Sequence, residues 1–171
     1  MNLKIGSMDY NERKIYRAKD YTILDINPDS DPDIIADCSD MPQIMTDSIE
    51  IIDCFFVLEH IPDTLKTMKE FYRVLKPKGI LNIIVPHALN PNLYSVPDHY
   101  KGFTYTTFNQ FWQEGHNAYP KFKCLKRRLI MRDKKLQWLA NKYPIKMEYL
   151  YWLFQLDSVE VMLEKVAEFS T

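Results

Sequence analysis

Glycine is scarce in this chain. Four glycines in 171 residues leave no G-x-G-x-x-G turn, and the first apolar run is followed by Gly6 alone. That absence argues against a nicotinamide-dependent dehydrogenase, which needs closely spaced glycines after its first strand. Cysteine is equally sparse. Cys38, Cys54 and Cys124 are odd in number and lack C-x-x-C spacing, so neither a disulfide frame nor a zinc cluster is expected, and a reducing compartment is. No apolar run approaches the ~20 residues of a membrane helix. The opening MNLKIGSMDY lacks the charged and then long apolar layout of a signal peptide. The expectation is a cytoplasmic protein with no membrane partner.

What is present suits one globular unit spanning residues 1–171. The composition, 46% hydrophobic and 26% charged, is that of a packed domain rather than a disordered chain. The net charge of −1 hides an asymmetry: −8 over residues 1–60 and +7 over the remainder. Much of the excess lies in residues 121–135, with eight basic residues and one acid. Such a stripe attracts anionic partners, but it also reads as a strand edge protected by Lys and Arg. Nucleic acid is therefore not the favoured partner.

The pattern is that of an α/β protein, a doubly wound Rossmann-like sheet with mostly parallel strands. Short β-branched runs at Leu3–Gly6, Tyr21–Asp25 and Ile34–Ala36 are followed by a continuous apolar run from Cys54 to Leu58, as suits strands covered on both faces. Pro62 and Asp63 open a helix with Leu65, Met68, Tyr72 and Leu75 on one face, and Lys76-Pro77-Lys78-Gly79 stops it. Gly79–Val85 is the fifth strand. His87–Gly102 reads as a long loop of the kind that covers a site. Thr104–Trp112 is a predicted helix capped by Thr106 or Thr107, and Phe122–Met131 a strand. Period alone does not decide the last 35 residues between helices and a closing strand. Tyr149, Trp152 and Phe154 there read as core or as a homodimer contact. His87 and His116 have no evident partner in the text.

The wording of residues 53–86, DCFFVLEHIPDTLKTMKEFYRVLKPKGILNIIVP, resembles the fourth strand, following helix and fifth strand of class I S-adenosylmethionine-dependent methyltransferases. The likeness covers roughly residues 2–112 and is to short forms with a reduced first helix. It implies a cofactor-binding core over residues 1–86 and a substrate-side loop and C-terminal segment over 87–171. Leu3-Lys4-Ile5-Gly6-Ser7 looks like the first motif, with Ser7 and Met8 standing where further glycines are usual. Asp25, at the end of strand 2, would take the ribose hydroxyls, with Ile26 beside it. Asp37 and Cys38, in Ala36-Asp37-Cys38-Ser39-Asp40-Met41-Pro42, would meet the adenine. Phe56 is counted with the cofactor residues, beside Gly6 and Ser7.

On the acceptor side the resemblance implies Glu59, His60 and His99. DHYKGFTYTTFNQFW resembles the Asp-His, Phe, Thr, Phe, Trp wording of small-RNA 2′-O-methyltransferases. There a Glu-x-x-Glu-His motif and a later His hold a metal ion. Here Phe56 replaces the first Glu, so metal-free acid–base work or substrate contact, or equally a structural role alone, is preferred over a metal site. Imidazole is the side chain that titrates nearest neutral pH. The implied activity is O-methylation of a small molecule, sugar or ribose hydroxyl. The rival is an inactive module of the same fold that binds a partner.

Overall fold

The computed structural model describes residues 1–6, 10–113, 118–150 and 153–166, and side chains in the first helix from residue 14 onward. Among these the strands are β1 (Asn2–Ile5), β2 (Tyr21–Asp25), β3 (Ile34–Ile35), β4 (Ile49–Phe55), β5 (Leu75–Pro86), β6 (Phe122–Met131) and β7 (Leu156–Lys165). The helices are α1 (Tyr10–Arg17), α2 (Thr64–Val74), α3 (Gln137–Lys142) and α4 (Pro144–Tyr149). One seven-stranded sheet runs in the order β3-β2-β1-β4-β5-β7-β6. β1 to β5 pair in parallel, and β7 joins β5, and β6 joins β7, antiparallel. Strand order reverses between β1 and β4, the point where open α/β sheets leave a crevice at their carboxyl ends.

Leu3, Ile5, Ile52, Cys54, Leu81, Ile83, Val161 and Leu163 share one face of the sheet and are all 2% exposed or less. On β5 and β7 buried and partly open positions alternate, which corrects the expectation of strands covered on both faces. The last 35 residues, left open by their period, supply both α3–α4 and the closing strand β7. Tyr149 on α4 is exposed, Phe154 packs partly on the core, and Trp152 lies outside the described residues.

Two local expectations are corrected. Pro62 precedes α2 rather than entering it. Asp63 is the N-cap, its side chain accepting from the Lys66 N–H, because a short carboxylate satisfies an orphan donor that proline cannot reach. Leu75 is not the last helical residue but the first of β5, paired with Ile49. Lys76-Pro77-Lys78-Gly79 forms a bulge before pairing resumes at Ile51 and Ile80, with Lys78 at φ 66. The end of α2 is closed from a distance. Buried Lys165 of β7 donates to the carbonyls of Tyr72 (2.8 Å) and Leu75 (2.9 Å) and to Asp47 (2.7 Å).

Residues 104–112 form a short 3-10 turn, Thr107–Phe111, rather than an α-helix. The Thr107 hydroxyl accepts from the Thr104 N–H. Phe103, Phe108 and Phe111 stack beneath it. The basic segment is β6, the edge strand of the sheet. Lys126 and Arg128 pair with Glu160, and Lys123 with Glu164, on the neighbouring strand. Arg127 lies over the Tyr105 ring, 3.9 Å from its centroid, and donates to Asn109. Four of the stripe's cations are thus engaged within the fold.

Candidate active site

Two hollows flank the end of β4. The first, about 250 Å³, is lined by Ile5 and Gly6 after β1, Leu24 to Ile26 after β2, Ala36 to Cys38 after β3, and Val57 and His60 to Pro62 after β4. The geometry of its floor depends on Gly6. The residue sits at φ 78, and a Cβ there would stand 2.6 Å from Val57 Cγ2. Only glycine meets both demands. Buried Lys4 holds this turn, its Nζ donating to the Ile5 carbonyl at 2.5 Å.

Asp25 is half-buried at the lip of β2, and its Oδ1 accepts from the Asn27 N–H at 2.9 Å. That bond fixes the carboxylate toward the hollow, where it can accept from a vicinal diol. Ile26 is 68% exposed, an apolar side chain at the mouth of the hollow. Asp37 Oδ1 accepts from the Ser39 N–H at 2.7 Å. Burial pushes the Cys38 thiol up to about 12, so it serves as neutral apolar wall. The segment that carries Asp37 and Cys38 is clamped to α2: Glu70 accepts from the Met41 N–H, and Arg73 donates to the carbonyls of Met41 and Ile44. Ser7 lies outside the described residues.

The second hollow, about 290 Å³, is lined by Phe56, Glu59, His60, Pro86, Asn90, Asn92, Leu93, Val96, His99 and Asp157. Phe56, grouped above with the cofactor residues, lines this hollow and not the first. Its φ of 55 turns the chain sharply after β4, and Val57 takes the place at the first hollow. Loop 87–103 is tied down at three points. Asp98 Oδ2 lies 3.0 Å from His60 Nδ1, the Tyr100 N–H donates to the Glu59 carbonyl at 2.8 Å, and Lys101 Nζ donates to the Pro62 carbonyl at 2.6 Å.

Glu59, His60 and His99 come together here. One ligand atom from each lies within 4.8 Å of the other two, and the two imidazoles meet edge to face at 4.5 Å. His99 Nδ1 lies 2.7 Å from the Leu93 carbonyl, which can only accept, so Nδ1 carries the proton and Nε2 presents a lone pair. Asp98 gives His60 the same tautomer. Glu59 is 1% exposed, and its Oε2 has no hydrogen-bond partner among the described residues.

Burial pushes the Glu59 carboxyl above its usual range, against the pull of its own backbone N–H and the two imidazoles. The folded chain therefore holds this proton more tightly than the unfolded one. The associated stability is full below the ordinary carboxylate range and is lost as pH rises through the raised value. Glu59→Gln should then melt higher than the parent at neutral pH, by roughly 1 kcal/mol. The gain should shrink as pH falls through the raised value and be gone below about 4. A melting-temperature series across pH checks it, and a gain that persists in acid refutes the burial account.

Residues 3–83 match the methyltransferase domain family model. The chain has the class I S-adenosylmethionine-dependent methyltransferase fold. The first hollow, with its glycine turn and two strand-end carboxylates, fits S-adenosylmethionine. No curated protein sequence matches. Solved structures do. A SAM dependent methyltransferase from Archaeoglobus fulgidus aligns with TM-score 0.68 at 14% identity, over 95% of this chain and 85% of that one. The cyclase SpnF aligns with TM-score 0.63 at 12% identity, over 96% and 75%. Phosphoethanolamine N-methyltransferase 2 from Haemonchus contortus, in complex with S-adenosyl-L-methionine, aligns with TM-score 0.59 at 14% identity, over 96% and 48%. At such identities the likeness is one of fold.

Several residues of this candidate site have no signal in the text. Asn90 and Asn92 sit in what reads as loop, although Asn90 followed by Pro91 is a capping pair and does cap the turn at Pro91–Ser95. Asp157 reaches the acceptor hollow only because β7 runs antiparallel beside β5. His87, without an evident partner in the sequence, is fully buried, with Nε2 2.8 Å from Glu148 and Nδ1 accepting from the Leu89 N–H. His116 lies outside the described residues.

Proposed function

We propose that this domain still binds its cofactor and methylates a hydroxyl of an uncharged or cationic small molecule, a sugar or other polyol being the fitting class. One observation carries the reading: an acceptor hollow adjoins the cofactor hollow, with His60 lining both. Bound S-adenosylmethionine supplies an electrophilic methyl group. The chain's own part is to fix that group and to align the acceptor. His99 Nε2 or His60 Nε2 takes the hydroxyl proton as the oxygen attacks. Asp98 and the Leu93 carbonyl hold the two rings in the tautomers this requires.

Charge supports the choice of acceptor. Glu59 and Asp157 line the acceptor hollow together with two imidazoles and two amides, and none of its lining residues is Lys or Arg. A phosphate or carboxylate there would face carboxylates without a counter-cation. Titration calorimetry with S-adenosylmethionine and S-adenosylhomocysteine tests the first half. Transfer of labelled methyl to polyols and to their phosphate esters tests the second. Turnover is expected with the free polyol and not with the ester. No heat at millimolar cofactor would leave the rival, a partner-binding module of the same fold.

A second reading has its own observation. A buried unpartnered carboxylate oxygen beside two imidazoles whose Nδ1 atoms are already committed is also the donor set of a divalent cation site, with Asp98 and the Leu93 carbonyl as its outer support. Glu59 Oε2, His60 Nε2 and His99 Nε2 would hold the ion, which would lower the cost of ionising the acceptor hydroxyl. Its mark would be a melting temperature raised by a divalent ion in the parent and unmoved in Glu59→Gln, together with loss of turnover in chelator. A chelator-insensitive enzyme leaves the imidazole route.

A further inference from the structure

Between Arg132 and Leu153 the surface carries an unusual mixture. Six large apolar side chains stand exposed: Trp138 at 61%, Tyr149 at 78%, and Tyr143, Ile145, Leu150 and Leu153 between 38% and 55%. Five exposed cations, Arg132, Lys134, Lys135, Lys142 and Lys146, are interleaved with them. Lys142 and Lys146 flank one ring, their Nζ atoms 5.2 and 5.5 Å from the Tyr143 centroid. The segment holds two acids, of which Asp133 is exposed among the cations and Glu148 is turned inward. Asp133 accepts from the Lys135 N–H, and Glu148 faces inward to His87 and the Tyr105 N–H. Ala140 and Met147 seat the segment on the core.

We infer that this face docks on an anionic lipid surface. Indole and phenol rings settle at the headgroup level, and lysines bury their stems while their ammonium groups reach the phosphates. Apolar area and attraction to anionic lipid then add together. No helix among the described residues is long and apolar enough to cross a membrane, so the contact is peripheral. A second copy of this chain fits less well, since a two-fold interface buries the same patch on both copies and so gathers both sets of five cations into one contact. Beside the three aromatic rings stand three aliphatic side chains, Ile145, Leu150 and Leu153, which insertion into a bilayer surface uses and base stacking does not. The hydrogen bond that His87 Nε2, at the start of loop 87–103, donates to Glu148 ties this segment to that loop.

Co-sedimentation with vesicles tests this without cofactor or acceptor, so its outcome is independent of catalysis. The chain should pellet with phosphatidylcholine–phosphatidylglycerol vesicles, lose binding as salt rises, and stay in solution with phosphatidylcholine alone. Lys142→Gln combined with Lys146→Gln should weaken binding by about tenfold. Trp138→Ala should weaken it as well, with the parent's circular dichroism. Equal binding of the charge variant would overturn the inference, as would no binding to the mixed vesicles. So would a dimer in light scattering that Trp138→Ala dissolves, since the face would then belong to a second copy.

Discussion

His99→Ala should reduce turnover by about 10²–10⁴-fold, the usual contribution of a positioned acid–base group, while calorimetry shows S-adenosylmethionine binding unchanged. The reason for a clean separation is geometric. His99 lines the acceptor hollow alone and reaches no part of the cofactor hollow. His60→Ala should be less clean. Its ring lines both hollows, so the same loss of turnover should come with weaker cofactor binding. If His99→Ala keeps full activity, the imidazole route is wrong. If it loses cofactor affinity as well, the two hollows are not the separate sites described above.

The second large effect belongs to Asp25. Charge-assisted hydrogen bonds from two ribose hydroxyls are worth about 1.5–3 kcal/mol each. Asp25→Ala should therefore weaken S-adenosylmethionine binding by at least about tenfold. Stability without cofactor should hardly change. The carboxylate is half-buried at the strand end, and its bond with the Asn27 N–H is local to that turn. Titration of the variant and the parent, with a melting curve for each, separates a lost ligand contact from a lost fold. Equal affinities would remove the ribose assignment.

How far the text of the chain could be read depended on the range of the forces involved. β2 and β6 were legible to the residue, because a β-branched run bounded by turn residues carries its signal locally. The bulge at Lys76–Gly79 was not. The same four residues stop a helix in isolation, and only the register against Ile49 and Ile51 makes them part of a strand. The convergence of Glu59, His60 and His99 followed from their places at the ends of neighbouring strands β4 and β5. Asp157 could not be reached in this way, because its position rests on a pairing more than 70 residues distant in sequence. Phe56 shows a different limit. One residue in the left-handed region exchanges the neighbours of two side chains, and no period reports a single dihedral.

One imidazole common to two compartments has a thermodynamic result of its own. Whatever a bound cofactor does to the freedom of the His60 ring, the acceptor feels, and the reverse must hold by the same factor. Product release is then no longer two independent departures. A methylated acceptor that presses on His60 alters the escape of the spent cofactor, and a resident spent cofactor biases the next acceptor. A proton resonance from this one side chain would report the occupancy of both compartments, and its response to each ligand in the presence of the other would measure their coupling.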